Sequence, residues 1–214
     1  MLFWDASMKT YVYIDAFNVY FGCVKNTPYK WLDLSKLCTI LLPRHQIDRI
    51  KYFTAHVKAL PSSPDAPRRQ QVYLRALRTV ANVEIVYGHF LSPRVRMPLA
   101  NPMAGQPRTV EVIKTEEKGS DVNLATHLLH DAYCGRYECA AVISGDSDLL
   151  AAVQIVKNEL GKPVGVLNPQ KRPSRMLQQY ATFYKHIRPG VLAASQFPTT
   201  LRDEHGTFNK PSEW

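Results

Sequence analysis

Short apolar stretches alternate with amphipathic stretches along the first part of the chain. Three stretches rich in β-branched and aromatic residues, at 10–15, 48–56 and 82–90, predict strands. Leucines at helical spacing over 32–42 and an amphipathic stretch at 68–80 predict the helices between them. This rhythm favours an α/β fold with a mostly parallel central sheet and helices on both faces.

The same rhythm continues beyond residue 115. It predicts, in order, a helix from Val122 with Ser120 as its N-cap, a strand at 140–143, a helix at 149–160 ended by Gly161, a last strand at 163–167 and a helix at 175–184. The strand at 140–143 is apolar enough to be buried on both faces, and Gly145 after it permits a sharp turn.

Two stretches depart from this rhythm. Residues 91–108 contain four prolines and three arginines and predict an irregular excursion, whereas 109–114 alternates and predicts a strand at an edge or in a hairpin with the excursion. The scattered Pro, Gly, Ser and Thr of 189–214 predict a C-terminal tail that is ordered only by docking. The expected organisation is one domain over 1–188, followed by this tail.

Charge and composition narrow the class of protein. The net charge of +9, with 27 Lys and Arg against 18 Asp and Glu, favours a polyanionic partner over a neutral one, although a merely soluble basic domain stays open. With 45% apolar residues among 214, the chain can bury a core without disulfides. Its four cysteines show neither CxxC nor zinc-finger spacing and are expected to be free thiols.

The sequence also bears on location. No apolar stretch reaches the roughly 18 residues that span a membrane. The N-terminal residues lack a basic region followed by a hydrophobic run, so they do not resemble a signal peptide. A cytoplasmic protein without a membrane partner is the expectation.

Four carboxylates fall where predicted strands end or the following helices begin. Asp15 follows the first strand, Asp146 and Asp148 follow the strand at 140–143, and Asp121 lies in the first turn of a helix. These positions share one edge of a parallel sheet, where ligands bind in open α/β folds. Helix capping explains Asp121 or Asp148 alone but does not explain Asp15. Because several carboxylates in one pocket repel one another, the sequence predicts a divalent cation, and oxygen ligands favour Mg²⁺ or Mn²⁺.

Two further polar residues lie beside these carboxylates. Asn18 either supports a carboxylate or the water on a metal, or it caps the next turn. Lys118 either contacts the phosphate that is cut or is a solvated loop lysine. The histidines show no metal-binding spacing.

Three segments, at 13–20, 118–125 and 144–149, together resemble the NYN family, a branch of the PIN-like metal-dependent nucleases. The resemblance implies a PIN-like three-layer fold, Mg²⁺ or Mn²⁺ held by acidic residues, and RNA as substrate. Carried over by position, the acidic set is Asp15, Asp121, Asp146 and Asp148, with Asn18 as their neighbour. Where many relatives carry a further Asp, this chain has His127, which at about 100° per residue lies far round the helix from Asp121.

The leading hypothesis is a ribonuclease that hydrolyses phosphodiester bonds with a water activated by the metal and leaves 5′-phosphate and 3′-hydroxyl ends. The candidate backbone contacts are Arg94, Arg96, Arg108, Lys171, Arg172 and Arg175, with a solvated basic face as the simpler explanation. A non-catalytic RNA-binding module stays open as an alternative. A Mg²⁺-dependent phosphatase of the haloacid dehalogenase type needs an Asp two residues after its nucleophile, where this chain has Phe17. A homodimer or a regulatory partner is left open.

Overall fold

The computed structural model describes residues 8–59, 61, 63–103, 105 and 107–214. Residues 1–7, on which the expectation of no signal peptide partly rests, lie outside the described residues. The strands, in chain order, are β1 (Met8–Asp15), β2 (His45–Thr54), β3 (Val83–Tyr87), β4 (His89–Leu91), β5 (Arg94–Pro98), β6 (Thr109–Ile113), β7 (Glu116–Lys118), β8 (Cys139–Ile143), β9 (Val164–Asn168), β10 (Phe183–His186), β11 (Thr200–Asp203) and β12 (Gly206–Asn209).

The helices range from four to 14 residues in length. They are α1 (Ala16–Val19), α2 (Leu34–Leu41), α3 (Ala66–Arg78), α4 (Ser120–Tyr133), α5 (Leu150–Gln154), α6 (Arg175–Tyr180) and α7 (Pro189–Ala194). Two of them continue as π-helical segments, α1 over Tyr20–Val24 and α5 over Ile155–Glu159, and a 3-10 turn at Ser147–Leu149 precedes α5. No helix among the described residues is long and apolar enough to cross a membrane.

Six parallel strands form the central sheet in the order β10-β9-β8-β1-β2-β3. Strand β1 therefore lies in the middle of the sheet, with β8 on one side of it and β2 on the other. In this register Ile14 lies opposite Ile143 of β8, and Asp15 lies opposite Phe53 of β2. The carboxyl ends of β1 and β8 are consequently neighbours.

Helices cover both faces of this sheet, as predicted. The alternating side chains of β1 point Val12 and Ile14 into one core, which also holds leucines of α2, α3 and α7. Tyr11 and Tyr13 point into the second core, with apolar residues of α4, α5 and α6. The chain thus has the three-layer α/β architecture that the sequence predicts.

Three of the predicted element boundaries are wrong. Ser120 is the first residue of α4 rather than its N-cap, because Gly119, with φ of 98°, occupies the cap position. The strand at 163–167 is not the last one: the helix expected over 175–184 ends at Tyr180, and β10 follows it at the sheet edge. The strand expected over 82–90 divides at Gly88 into β3, in the central sheet, and β4, which pairs with β7.

The Pro-rich excursion contains a strand. Its residues Arg94–Pro98 form β5, which pairs antiparallel with β6. Of the two alternatives for 109–114, an edge strand or a hairpin with the excursion, the structure shows the hairpin, with the strand ending at Ile113. The β5–β6 ribbon stands apart from the central sheet.

The C-terminal residues contribute to the first core. Phe197 and Phe208 are buried in it. The Trp31 indole N–H donates to the carbonyl of Pro198 at 2.8 Å, and Arg75 forms an ion pair with Asp203 at 2.6 Å. Residues 189–214 are thus packed onto the domain, while the division of the chain at residue 188 stays a prediction.

Candidate active site

Asp15 is the most deeply placed of the predicted acidic residues, with 3% of its surface exposed. It ends β1, and its Oδ1 accepts the backbone N–H of Asn18 at 2.9 Å while its Oδ2 accepts the hydroxyl of Ser144 at 3.1 Å. Burial raises the pKa of the Asp15 carboxyl and outweighs these hydrogen bonds, which lower it. Neither hydrogen-bond partner is positively charged, so this position favours an added cation.

Ser144 connects Asp15 with Asp146. The hydroxyl of Ser144 donates to Asp15 and accepts the backbone N–H of Asp146 at 3.1 Å. Asp146 then caps the following 3-10 turn, since its Oδ1 accepts the N–H of Asp148 at 3.0 Å. The ends of β1 and β8 are thereby fixed to each other.

Asn18 holds the turn after β8. Its amide oxygen accepts the backbone N–H of Gly145 at 3.0 Å and the side-chain amide of Gln170 at 2.7 Å. Asn18 therefore supports Asp15 through its backbone N–H, while its side-chain oxygen connects the loops after β8 and β9.

Gly145 is needed for a reason other than the predicted sharp turn. It is absent from the described glycines with positive φ. A Cβ at this position would lie 2.6 Å from Cγ of Gln170 and 2.9 Å from Oδ1 of Asn168. Glycine is favoured at position 145 because the side chains of Asn168 and Gln170 lie too close to its Cα for a Cβ to fit without a shift.

Glu117 of β7 and Asp121 of α4 bring further negative charge to this site. Burial, and after it the nearby charges of Asp15, Asp146, Glu117 and Asp148, together raise the pKa of Asp121 to about 6. The side chain of Glu117 contacts the N-terminus of α4: its Oε1 accepts the backbone N–H of Ser120 at 3.1 Å and the hydroxyl of Ser120 at 2.8 Å. Glu117 was not predicted, although it too precedes a helix start.

These residues line one cleft of about 480 Å³. Its lining residues are Asp15, Phe17, Asn18, Phe21, Val57, Lys58, Phe90, Thr115, Glu117, Ser120, Asp121, Asp146 and Gln170. The structure therefore brings together three of the four predicted carboxylates, with Asn18, and adds Glu117, Lys58 and three phenylalanines.

The other residues predicted for the acidic site lie outside the lining. Asp148 is exposed, and its role as a ligand stays a prediction. The ammonium of Lys118 lies 3.2 Å from Glu116. His127 lies beside Lys51, with its Nδ1 3.1 Å from the ammonium, and is not part of the cleft, as its place on the helix predicts.

The predicted basic contacts fall on two segments. Arg94 and Arg96 lie on β5 and Arg108 lies just before β6, so all three belong to the β5–β6 ribbon. Lys171, Arg172 and Arg175 follow Gln170, which lines the cleft. All six side chains are exposed.

The donor atoms of the cleft fit a hard divalent cation, but an assembled metal site is not present. In the part of the chain that the structure describes, no group of three or more His, Cys, Asp or Glu side chains could hold a metal ion. The lining supplies carboxylate oxygens, which Mg²⁺ and Mn²⁺ prefer, and negative charges that raise the pKa of Asp121. Asp15, Asp121 and Asp146 therefore fit such a cation in charge and in donor atom.

The parallel three-layer fold and the acidic cleft at its strand ends define a PIN-like α/β protein. A solved structure of a protein of unknown function from Vibrio parahaemolyticus shares this fold, with a TM-score of 0.56, 16% identity and coverage of 86% of this chain and 96% of that one. The NYN domain family matches residues 9–187. The chain belongs to the NYN family.

A curated relative carries a different kind of name. The chain is 30% identical to 6-hydroxy-3-succinoylpyridine 3-monooxygenase HspA of Pseudomonas putida, over 97% of this chain and 75% of that protein. The name of this relative describes a monooxygenase that acts on a pyridine compound, whereas the family's fold is nuclease-like. The comparisons therefore establish the family and leave the reaction open.

Proposed function

We propose that the protein is a metal-dependent ribonuclease that hydrolyses RNA phosphodiester bonds and leaves 5′-phosphate and 3′-hydroxyl ends. The observation that carries this proposal is the convergence of Asp15, Asp121 and Asp146 on one cleft of a chain with a net charge of +9. A basic surface attracts a polyanion, and a local excess of carboxylates suits a cation that neutralises a reacting phosphate.

Asp15, Asp121 and Asp146 would hold Mg²⁺ or Mn²⁺. When bound, such an ion supplies a Lewis acid for the phosphate and lowers the pKa of water. The chain contributes the positions of the groups around it: Ser144 and Asn18 fix Asp15, and Asp146 is fixed by its cap on the turn that follows β8. Fixed carboxylates lose little freedom when a charged ligand arrives.

The substrate would be held by basic side chains around the cleft. Lys58 is the basic side chain among the described lining residues and would contact an RNA backbone in the cleft. Lys171 and Arg172 directly follow the lining residue Gln170, and the β5–β6 ribbon carries Arg94, Arg96 and Arg108. Contacts of this kind position a nucleic acid without reading its sequence.

The test is incubation of end-labelled single-stranded RNA with purified protein in Mg²⁺, in Mn²⁺ and in EDTA. We expect cutting in the presence of metal only, with fragments whose 5′-phosphates make them substrates for a 5′-phosphate-dependent exonuclease. RNA that is bound but uncut in every metal would favour the non-catalytic RNA-binding module. Turnover of a simple phosphomonoester that is lost in Asp15→Asn would favour the phosphatase.

A second candidate function rests on the name of the Pseudomonas putida relative and on the phenylalanines of the cleft. A pyridine ring would contact Phe17, Phe21 and Phe90, and a carboxylate on the ring's side chain would pair with Lys58. Oxygen uptake with 6-hydroxy-3-succinoylpyridine and a reduced nicotinamide cofactor, in protein that leaves RNA intact, would favour this function over the ribonuclease.

A further inference from the structure

One wall of the acidic cleft is aromatic. Phe17, Phe21 and Phe90 line it together with Asp15 and Asp121. Phe17 follows Asp15 by two residues on α1, and Phe90 lies on β4, so separate elements bring these two rings together. Hydrolysis of a phosphodiester needs no aromatic group, which indicates that this wall serves a part of the ligand other than the phosphate.

Phe17 and Phe90 fix each other. Their ring centroids are 5.6 Å apart and their planes are inclined at 83°, an edge-to-face contact. Both side chains are half-buried. The contact holds two rings in fixed orientations beside the carboxylates.

Phe21 is held in place although most of it is in water. It is 61% exposed, yet Tyr20 contacts it edge to face with centroids 5.1 Å apart, and the ammonium of Lys25 lies 5.1 Å from its centroid. Although Lys25 lies over the ring and Tyr20 contacts it, 61% exposure leaves ring surface open to a ligand. Phe21 also lies in the π-helical segment Tyr20–Val24, and such segments occur frequently at functional sites.

We propose that Phe21, with Phe17 and Phe90, stacks on an unpaired nucleobase next to the phosphate that is cut, so that the protein acts on single-stranded rather than duplex nucleic acid. This inference rests on the proposed function. Every nucleobase has a planar face that stacks on an aromatic ring, and the contact tolerates any sequence. Lys25 lies beside Phe21 and Lys58 lines the cleft, so these two cations would contact phosphates next to the stacked base.

Binding of a duplex at this wall costs more free energy than binding of a single strand. A paired base is already stacked on its neighbours, and turning it out of the helix costs energy that an unpaired base does not require. The aromatic wall therefore selects for unpaired segments.

The test uses an RNA of about ten nucleotides that contains 2-aminopurine, whose fluorescence falls when it stacks. Binding is measured in EDTA, so that no cutting is needed. We expect the protein to quench the single strand and not the duplex. Phe21→Leu, which keeps an apolar side chain but removes the ring, should abolish most of the quenching and weaken binding by about 10-fold, whereas Phe21→Trp should retain both.

Tyr133→Leu is the matched control. Tyr133 is similarly exposed, at 69%, and lies on α4 12 residues after Asp121, about 18 Å along the helix axis. Its loss should leave quenching and binding unchanged. Quenching that survives in Phe21→Leu, or that falls equally in Tyr133→Leu, would overturn the inference.

The measurement separates this inference from the proposed function. Quenching that depends on Phe21, in a protein that never cuts RNA, would support the base-stacking wall and refute the nuclease. Metal-dependent cutting without quenching would support the nuclease and refute the base-stacking wall. If free 6-hydroxy-3-succinoylpyridine binds in a manner that depends on Phe21 while the single strand does not, the wall serves a small heteroaromatic ring and the inference is wrong.

Discussion

Asp131 has no exposed surface, and three side chains donate hydrogen bonds to it. Its Oδ2 accepts from the hydroxyl of Tyr13 at 2.8 Å and from the ammonium of Lys51 at 2.6 Å, and its Oδ1 accepts from Arg136 at 2.8 Å. Burial raises the pKa of Asp131, but these hydrogen bonds outweigh it and the pKa lies below its ordinary value. This network lies outside the acidic cleft and serves stability.

We predict that Asp131→Asn lowers the free energy of unfolding by about 3 kcal/mol at neutral pH, because Lys51 keeps a buried, uncompensated charge. A carboxylate whose pKa is lowered by folding stabilises fully above its unfolded pKa, about 3.9, and loses that contribution as pH falls through its folded pKa. The difference between wild type and variant should therefore shrink in acid. Urea denaturation at several pH values checks this.

Asp203→Asn is the control for that experiment. Asp203 also pairs with an arginine, Arg75, but both side chains are partly in water. The decrease in the free energy of unfolding caused by Asp203→Asn should be much smaller at neutral pH, because solvent screens such pairs. Equal losses in the two variants would contradict the role given to Asp131.

We also predict that Gly145→Ala impairs RNA cleavage while the protein still folds. The added Cβ would meet the Cγ of Gln170 at 2.6 Å, so Gln170 must shift away from Asn18 and the turn that carries Asp146 loosens. Gly190→Ala is the control, since a Cβ there meets nothing within 4 Å. Cleavage rates and circular dichroism spectra of both variants decide the matter, and wild-type cleavage by Gly145→Ala would refute the close-approach argument.

The individual residues were predictable only in part. Asp15, Asp121 and Asp146 follow strands or begin helices, and parallel topology alone brings such positions to one edge. Glu117 was missed because it lies in the middle of a three-residue strand, Glu116–Lys118, which is too short to show an alternation pattern. Gln170 was missed because its contact with Asn18 spans 152 residues of sequence. Hydrophobic patterns in a sequence predict local structure and do not predict contacts between residues that are far apart in the sequence.

The β5–β6 ribbon is the element for which the sequence predicts contacts with an RNA backbone. It carries Arg94, Arg96 and Arg108, and among the ion pairs of the described residues only Arg94 of these three takes part in one, at 3.9 Å from Glu111. Replacing the three arginines with Ala should flatten the salt dependence of RNA binding by up to about two units of slope, because each phosphate contact on a single strand contributes about 0.7.

A triple variant at Lys36, Arg44 and Arg202 is the matched control for charge. These residues are exposed and lie outside both predicted basic segments. Its salt slope, measured by fluorescence anisotropy between low and moderate salt, should equal that of the wild type. An unchanged slope in the ribbon variant would remove the three arginines from the RNA interface.

Elements that are buried on both faces were predicted well, and those at edges were not. Strands β1 and β8 are long or wholly apolar and match their predicted positions. Strand β10 has four residues, two of them exposed, and it directly follows a short helix, so the helical pattern extends over it. Its place depends on Phe183, which packs where Gly165 leaves room: a Cβ there would lie 2.0 Å from the ring.

Across the full chain, the basic surface and the acidic cleft are the two features that function must explain together. The architecture followed from the order of strands and helices, because right-handed parallel connections leave few alternatives. The packing of residues 189–214 did not follow, since it depends on contacts of Trp31 with Phe197 and Trp214, which lie far from it in the sequence. The acidic cleft is the part on which the proposed activity rests.

Cleavage of end-labelled single-stranded RNA in Mn²⁺ by the wild type, Asp15→Asn and Asp146→Asn would decide whether this cleft is a nuclease site. Asp48→Asn, which removes a carboxylate that is not part of the cleft lining, is the control. We predict that the wild type and the control cut at the same rate, and that each cleft variant, once shown to be folded, loses at least about 100-fold. Cutting at the wild-type rate by either cleft variant, or cutting that persists in EDTA, would contradict the assignment.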